Sequence, residues 1–158
     1  MSIGQIQDGA VLRLGFARPE RKNAITAVMY AALADGLEQA AVSPGIRVVV
    51  LHGDAATFTA GNDLEDFLKD GTASSDTPRK SNAIKFLYAL AHNTKPLVAA
   101  VDGIAIGIGT TMLFHCDYVV ASTTATFSTP FIHLGLVPEG ASSLLMPRTM
   151  GYQRAFST

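Results

Sequence analysis

Cysteine is nearly absent from this sequence: of 158 residues, only Cys116 carries a thiol. A lone cysteine closes no internal disulfide and leaves no second thiolate for a metal site. A reducing, cytoplasmic compartment is therefore the expected setting. Charge of one sign is also lacking, with 12 Lys and Arg against 13 Asp and Glu and a formal net charge of -1. Nothing in that balance calls for a nucleic-acid or anionic-membrane partner. Long apolar runs are missing too. The longest, 97–114, is interrupted by Asp102 and by Gly103, Gly107 and Gly109, which argues against a membrane span. The opening residues Met1-Ser2-Ile3-Gly4-Gln5 have neither the basic stretch nor the apolar core of a secretory signal.

Hydrophobic residues make up 48% of the chain and charged residues 16%, the balance of a globular protein with a real core. The length suits one domain, 1–158. Residues 10–16 alternate as a half-buried strand. Thr26 is placed to cap a helix with an apolar stripe of Tyr30, Leu33, Leu37, Ala40 and Ala41, closed by Ser43-Pro44. Residues 47–52 and 97–101 read as buried strands, 62–69 as a short helix and 71–78 as a polar, mobile loop. A second helix presents Ile84, Leu87, Tyr88 and Ala91 on one face. Residues 107–116 read as a helix, 117–121 as a third strand and 125–128 as a short fourth. Strands alternating with helices predict an α/β fold. The final stretch, 152–158, reads as the opening of a helix without a stop signal, so a C-terminal truncation is expected.

Glycine stands between a strand and a helix start at two places. One is Phe58-Thr59-Ala60-Gly61-Asn62-Asp63-Leu64; the other is Asp102-Gly103-Ile104-Ala105-Ile106-Gly107-Ile108-Gly109-Thr110. Glycine allows close backbone approach to a ligand, and a helix N-terminus offers unpaired N–H groups. Two converging N–H groups would form an oxyanion hole; two plain strand-to-helix connections would look the same in sequence. The second segment is not a dinucleotide fingerprint, because Met112 stands where the third glycine belongs.

These segments, together with Arg18-Pro19-Glu20-Arg21-Lys22-Asn23-Ala24, Lys95-Pro96 and Cys116-Asp117, resemble in order and spacing the signatures of the enoyl-CoA hydratase/isomerase (crotonase) family. The resemblance spans essentially the whole chain. It implies a superhelix of β-β-α turns, lacking here the C-terminal helical part of longer family members. It also implies an acyl-CoA thioester as substrate, assembly into trimers or hexamers, and an oxyanion hole made by the N–H groups of Asn62 and Ile108. The family usually has glycine at the position of Ile108, but the N–H is the working group. Ala60, Gly61, Asn62, Asp63, Leu64 and Ala24 would then contact CoA. Arg21 and Lys22 are either phosphate contacts or solvated loop charges.

Hydratases of the family use two glutamates. Alignment on the Gly107 motif puts Thr111 at the first of those positions, and alignment on Thr129-Pro130 puts Phe131 at the second. Neither side chain is a carboxylate. The segment from Thr129 to Gly140 instead resembles the one carrying the single catalytic glutamate of peroxisomal-type Δ3-Δ2-enoyl-CoA isomerases, and Glu139 takes that place. Taken alone, a glutamate in a Pro-Glu-Gly turn reads as an exposed helix-start carboxylate. The implied reaction moves the double bond of a 3-enoyl-CoA to the 2-position through an enolate, with no metal and no redox cofactor. The alternatives are hydration, or another acyl-CoA reaction in which Thr111 and Glu139 share the work, and a non-catalytic acyl-CoA-binding module. Phe131, Ile132, Leu136 and Val137 are expected to flank Glu139, with His133 near the acyl pocket. His52, His92, His115 and Cys116 read as structural, and Asn62 and Asp63 as caps of the next helix.

Overall fold

The computed structural model describes residues 2–66 and 81–157. Strand β1 (Ile3–Asp8), polar and almost wholly exposed, pairs antiparallel with β2 (Val11–Phe16), which turns Leu12, Leu14 and Phe16 into the core. β1 lacks the apolar alternation that marks β2, so its pattern gives no strand signal; it forms because the Gly9 turn folds it back onto β2. Helix α1 (Ala27–Val42) starts where Thr26 Oγ1 accepts the Met29 amide hydrogen at 3.4 Å and stops at Ser43, ahead of Pro44. It buries Tyr30, Leu33, Leu37 and Ala40, and Ala41 is half-buried.

From β3 onward the chain repeats one device. β3 (Val48–His52), β5 (Leu97–Val101) and β7 (Tyr118–Ala121) lie parallel in a five-stranded sheet of order β1-β2-β3-β5-β7. Each is followed by a three-residue strand, β4 (Thr57–Thr59), β6 (Ile104–Ile106) and β8 (Thr126–Ser128), in a second, parallel sheet. The chain thus climbs in β-β-α turns, the superhelix that the resemblance implies. Strands of three residues carry little pattern: β8 falls where a short strand is expected, whereas β4 and β6, inside the two glycine segments, are not expected.

Helix α2 (Asn82–Ala91), capped by Ser81, packs on α1. Its buried residues are Phe86 and Leu90 rather than the expected face. Phe86 meets the Tyr30 ring at 5.7 Å, Ile84 and Leu87 flank this seam half-buried, and Tyr88 and Ala91 face solvent. The helix expected over 107–116 is a single α turn, α3 (Ile108–Thr111), followed by a 3-10 turn at Met112–His115. The Cys116 amide reaches back only to the Leu113 carbonyl, at 3.1 Å, tightening the coil just before the chain enters β7. β7 falls where a strand is expected, but all four of its residues are exposed. Two short helices follow, α4 (Ser142–Met150) and α5 (Tyr152–Phe156). The helix expected over 62–69 begins at residue 64; its remainder, and the 71–78 loop, lie outside the described residues. No described helix is long and apolar enough to cross a membrane.

Candidate functional site

Two glycine turns meet at one end of the short sheet. Lys22 and Asn23 adopt left-handed backbone conformations, φ 50° and 55°, which Asn tolerates better than most residues. Asn23 is fully buried. Its Oδ1 accepts the Arg18 amide hydrogen at 2.8 Å, and its Nδ2 donates to the Thr57 carbonyl at 2.9 Å and to Asp54 Oδ2 at 3.1 Å. Its carbonyl accepts the Thr59 hydroxyl at 2.6 Å. The loop is thereby fixed to β4. Beyond it, Ala60 N–H donates to the Lys22 carbonyl, Ile25 N–H to Gly61 and Asp63 N–H to Ile25, at 2.8 to 3.0 Å. This parallel bridge uses the amides of Ile25 and Asp63, so the N–H of Asn62 points away from Ile25.

Gly61 has φ 87°, and a Cβ there would lie 2.6 Å from the Ile106 carbonyl oxygen. Only glycine lets this turn press against the second one. In the second turn, Gly107 (φ 57°, ψ -120°) leads into α3, and Ile108 is its first residue, so the Ile108 N–H has no intrahelical acceptor. Among the described residues, neither the Asn62 nor the Ile108 N–H has a hydrogen-bond partner.

Both residues line a cleft of about 800 Å³. Of the positions marked out in the sequence, Arg21, Ala24, Ala60, Gly61, Asn62, Asp63, Leu64, Ile108 and Glu139 all line it. Lys22 does not: its carbonyl anchors Ala60, and the residue is exposed outside the lining. Ile106, Pro130, Phe131, Leu134, Leu136 and Val137 supply the apolar wall. Of the flanking residues expected around Glu139, Ile132 is absent from the wall because it points into solvent, 91% exposed, and His133 is likewise exposed outside it.

Three carboxylates line the cleft, in different electrostatic situations. Asp63 pairs with Arg18 at 2.6 Å and caps the following turn through the Glu65 and Asp66 amides. The Arg18 hydrogen bond holds its carboxyl below the usual range. Glu65 is exposed at the mouth, 3.7 Å from Arg21. Glu139 is half-buried, and burial raises its proton affinity, opposed by a hydrogen bond from the Thr111 hydroxyl at 2.6 Å. Its backbone is pinned as well: the Glu139 carbonyl accepts the Ser142 amide hydrogen at 3.0 Å, and the Gly140 carbonyl lies 2.9 Å from His115 Nε2. The site thus has one carboxylate with raised basicity, held in place on an apolar wall.

Several supporting residues carried no assigned role in the sequence. Arg18 and Asn23 sit in the quoted Arg18-to-Ala24 motif, which marked them without a task. His115 is structural, as expected, and its task is to clamp the Glu139 turn. The Tyr30 hydroxyl, whose residue reads in the sequence as part of an apolar stripe, donates to Asn62 Oδ1. Of the two residues expected to cap, Asp63 does so and the Asn62 side chain instead accepts from Tyr30. His52 and His92 bond to nearby carbonyls, and burial pushes the Cys116 thiol up to about 12. Among the described residues, no group of three His, Cys, Asp or Glu could hold a metal ion.

A β-β-α superhelix with a cleft bearing two unpaired amides and one basic carboxylate defines a class of α/β proteins rather than one member of it. The model of the enoyl-CoA hydratase/isomerase family matches residues 7–157. Human enoyl-CoA delta isomerase 2 is 38% identical over 152 residues, covering 94% of this chain and 38% of that protein. The enoyl-CoA hydratase AFT3-1 of Alternaria alternata is 32% identical over 139 residues, covering 88% of this chain and 47% of that protein. Among solved structures, an enoyl-CoA hydratase/isomerase from Pseudoalteromonas atlantica T6c superimposes with a TM-score of 0.91 at 47% identity, covering 98% of this chain and 60% of that one. The chain belongs to the enoyl-CoA hydratase/isomerase family and has the crotonase fold. It spans about 38% to 60% of the length of these relatives.

Proposed function

We propose that this chain carries the active site of an acyl-CoA isomerase that converts a 3-enoyl-CoA into a 2-enoyl-CoA. Glu139 takes a proton from C2, negative charge moves onto the thioester oxygen, the Asn62 and Ile108 amides stabilise that oxygen, and Glu139 returns the proton at C4. CoA would lie along residues 60–64, with Arg21 at the mouth available to a phosphate. The observation carrying this reading is the isolation of Glu139. It is half-buried on the apolar wall with the Thr111 hydroxyl on its carboxylate, whereas Asp63 is neutralised by Arg18 and Glu65 is exposed beside Arg21. Hydration by the usual two-carboxylate route is less well supported, because Thr111 meets Glu139 with a hydroxyl and Phe131 adds only apolar surface.

The test is Glu139→Gln, which keeps shape and removes the base. In the protein that carries this chain, kcat for 3-enoyl-CoA should fall by about a hundredfold or more with little change in acyl-CoA affinity. Isomerisation at the parent rate would overturn the assignment of the base. Efficient hydration of a 2-enoyl-CoA by the parent would overturn the reaction class.

A further inference from the structure

The Asn62 backbone amide is aimed by its turn, but the Asn62 side chain is held by a residue from another element. Tyr30 stands one turn into α1, buried at 5% exposure, with its ring against Phe86. Its hydroxyl crosses to the oxyanion turn and donates to Asn62 Oδ1. We propose that Tyr30 is a positioning residue for that turn: by holding the Asn62 carboxamide oxygen it keeps the turn oriented for an anionic substrate oxygen and keeps the amide's own oxygen away from it.

This role for Tyr30 rests on Asn62 and Ile108 being an amide pair for an enolate, and its basis is electrostatic. A carboxamide is a dipole beside the place where negative charge develops. Left free to rotate, it can present its oxygen to the enolate and repel it; a hydroxyl donor on Oδ1 removes that option. The bond also ties the Asn62 side chain to a core helix, and preorganisation of this kind needs no rearrangement during reaction. Tyr30 suits the task because it cannot stop donating. Burial, and the nearby negative charge of Glu139, keep its phenol protonated well above the usual range. A serine or threonine on α1 would lack the reach of the phenol ring.

Tyr30→Phe retains the ring and its packing and removes only the hydroxyl. With 3-enoyl-CoA as substrate, kcat should fall about tenfold while KM stays within about twofold, the split expected when only the transition state is affected. Asn62→Ala removes the same bond together with the carboxamide oxygen, so it tests the anchoring alone: kcat should fall, but less than in Tyr30→Phe, which covers the case in which the core substitution fails to fold. The distinguishing readout is spectroscopic. The CoA thioester of 4-(dimethylamino)cinnamic acid absorbs at longer wavelength when its carbonyl is polarised, so its bound spectrum reports the amide pair directly. The parent and Glu139→Gln should both shift the band, Tyr30→Phe should lose most of the shift, and Asn62→Ala should lose a smaller part of it. An equal shift in parent and Tyr30→Phe would overturn the proposal for Tyr30 alone. A parent that binds the thioester without any shift would overturn the amide-pair reading and the Tyr30 proposal with it.

Discussion

Thr111 shows how one hydroxyl tunes a base. Its O–H donates to the Glu139 carboxylate and so favours the ionised form, against the burial that disfavours it. Thr111→Ala removes the favourable part, and the Glu139 proton affinity then rises further. Activity requires the ionised base, so the acid limb of kcat/KM against pH should move to higher pH, with near-parental rates above it. A pH–rate profile checks this, and the loss at the optimum should be far smaller than for Glu139→Gln. The same burial bears on stability. A carboxyl with a raised folded-state pKa binds protons more readily folded than unfolded, so its contribution falls as pH rises through the interval between the two values. Glu139→Gln should therefore raise Tm near neutral pH relative to the parent, and the advantage should shrink as pH falls and the parent's Glu139 takes up its proton; melting curves over a descending pH series test it. At this scale the sequence is informative where a motif marks residues that the fold brings together: Asn62, Ile108 and Glu139 all line the cleft. It is uninformative where a role depends on contacts between distant residues. Nothing local to Tyr30 indicates a bond 32 positions away, and Thr111 could be named only as a place lacking a carboxylate.

Asn23 joins elements that no contiguous segment could join. Its side chain spans the Arg18 amide, Asp54 and the Thr57 carbonyl, fixing the 18–24 loop to the strand that leads into Gly61. Asn23→Ala would abolish these bonds, leave the buried Thr57 carbonyl without this donor and keep a β-carbon in left-handed backbone. We expect a loss of about 2–4 kcal/mol in chemical unfolding, at the upper end for a polar deletion. Asn23→Asp should also destabilise, since it removes the Nδ2 donor and adds negative charge beside Asp54. The elements visible in the sequence are β2, β3, β5, α1 and α2, each with five or more residues and an apolar pattern, and the shorter β7 and β8. β1 is hidden by its polar side chains, and β4 and β6 are hidden because each is only three residues and runs into a glycine turn that dominates the local pattern. α2 was found with its buried face misjudged, because the seam is decided by where the Tyr30 ring sits on α1, not by the helix itself.

On the whole-molecule scale, the five-stranded sheet keeps its core in the middle and exposes both edge strands, β1 with polar side chains and β7 with apolar ones. Leu14, Leu33, Leu51, Phe58, Phe86 and Leu97 are sealed in the core. Along the β7 edge, Tyr118, Val119 and Val120 are 66%, 37% and 53% exposed, and Phe127 of β8 is 43% exposed. An edge strand with free N–H and C=O groups and apolar side chains invites pairing, and a contiguous apolar surface of this kind marks a contact site. This chain should therefore associate in a concentration-dependent way. The family resemblance sets the expected order at three copies, or two sets of three. Multi-angle light scattering across a dilution series checks both the association and its order. Val120→Lys places a charge in the middle of the exposed strand without touching the core or the cleft, so it should shift the scattering mass toward the monomer while leaving the Glu139 site intact. A mass that stays at one chain over the whole concentration range, in the parent as in Val120→Lys, would show that β7 is not a contact surface.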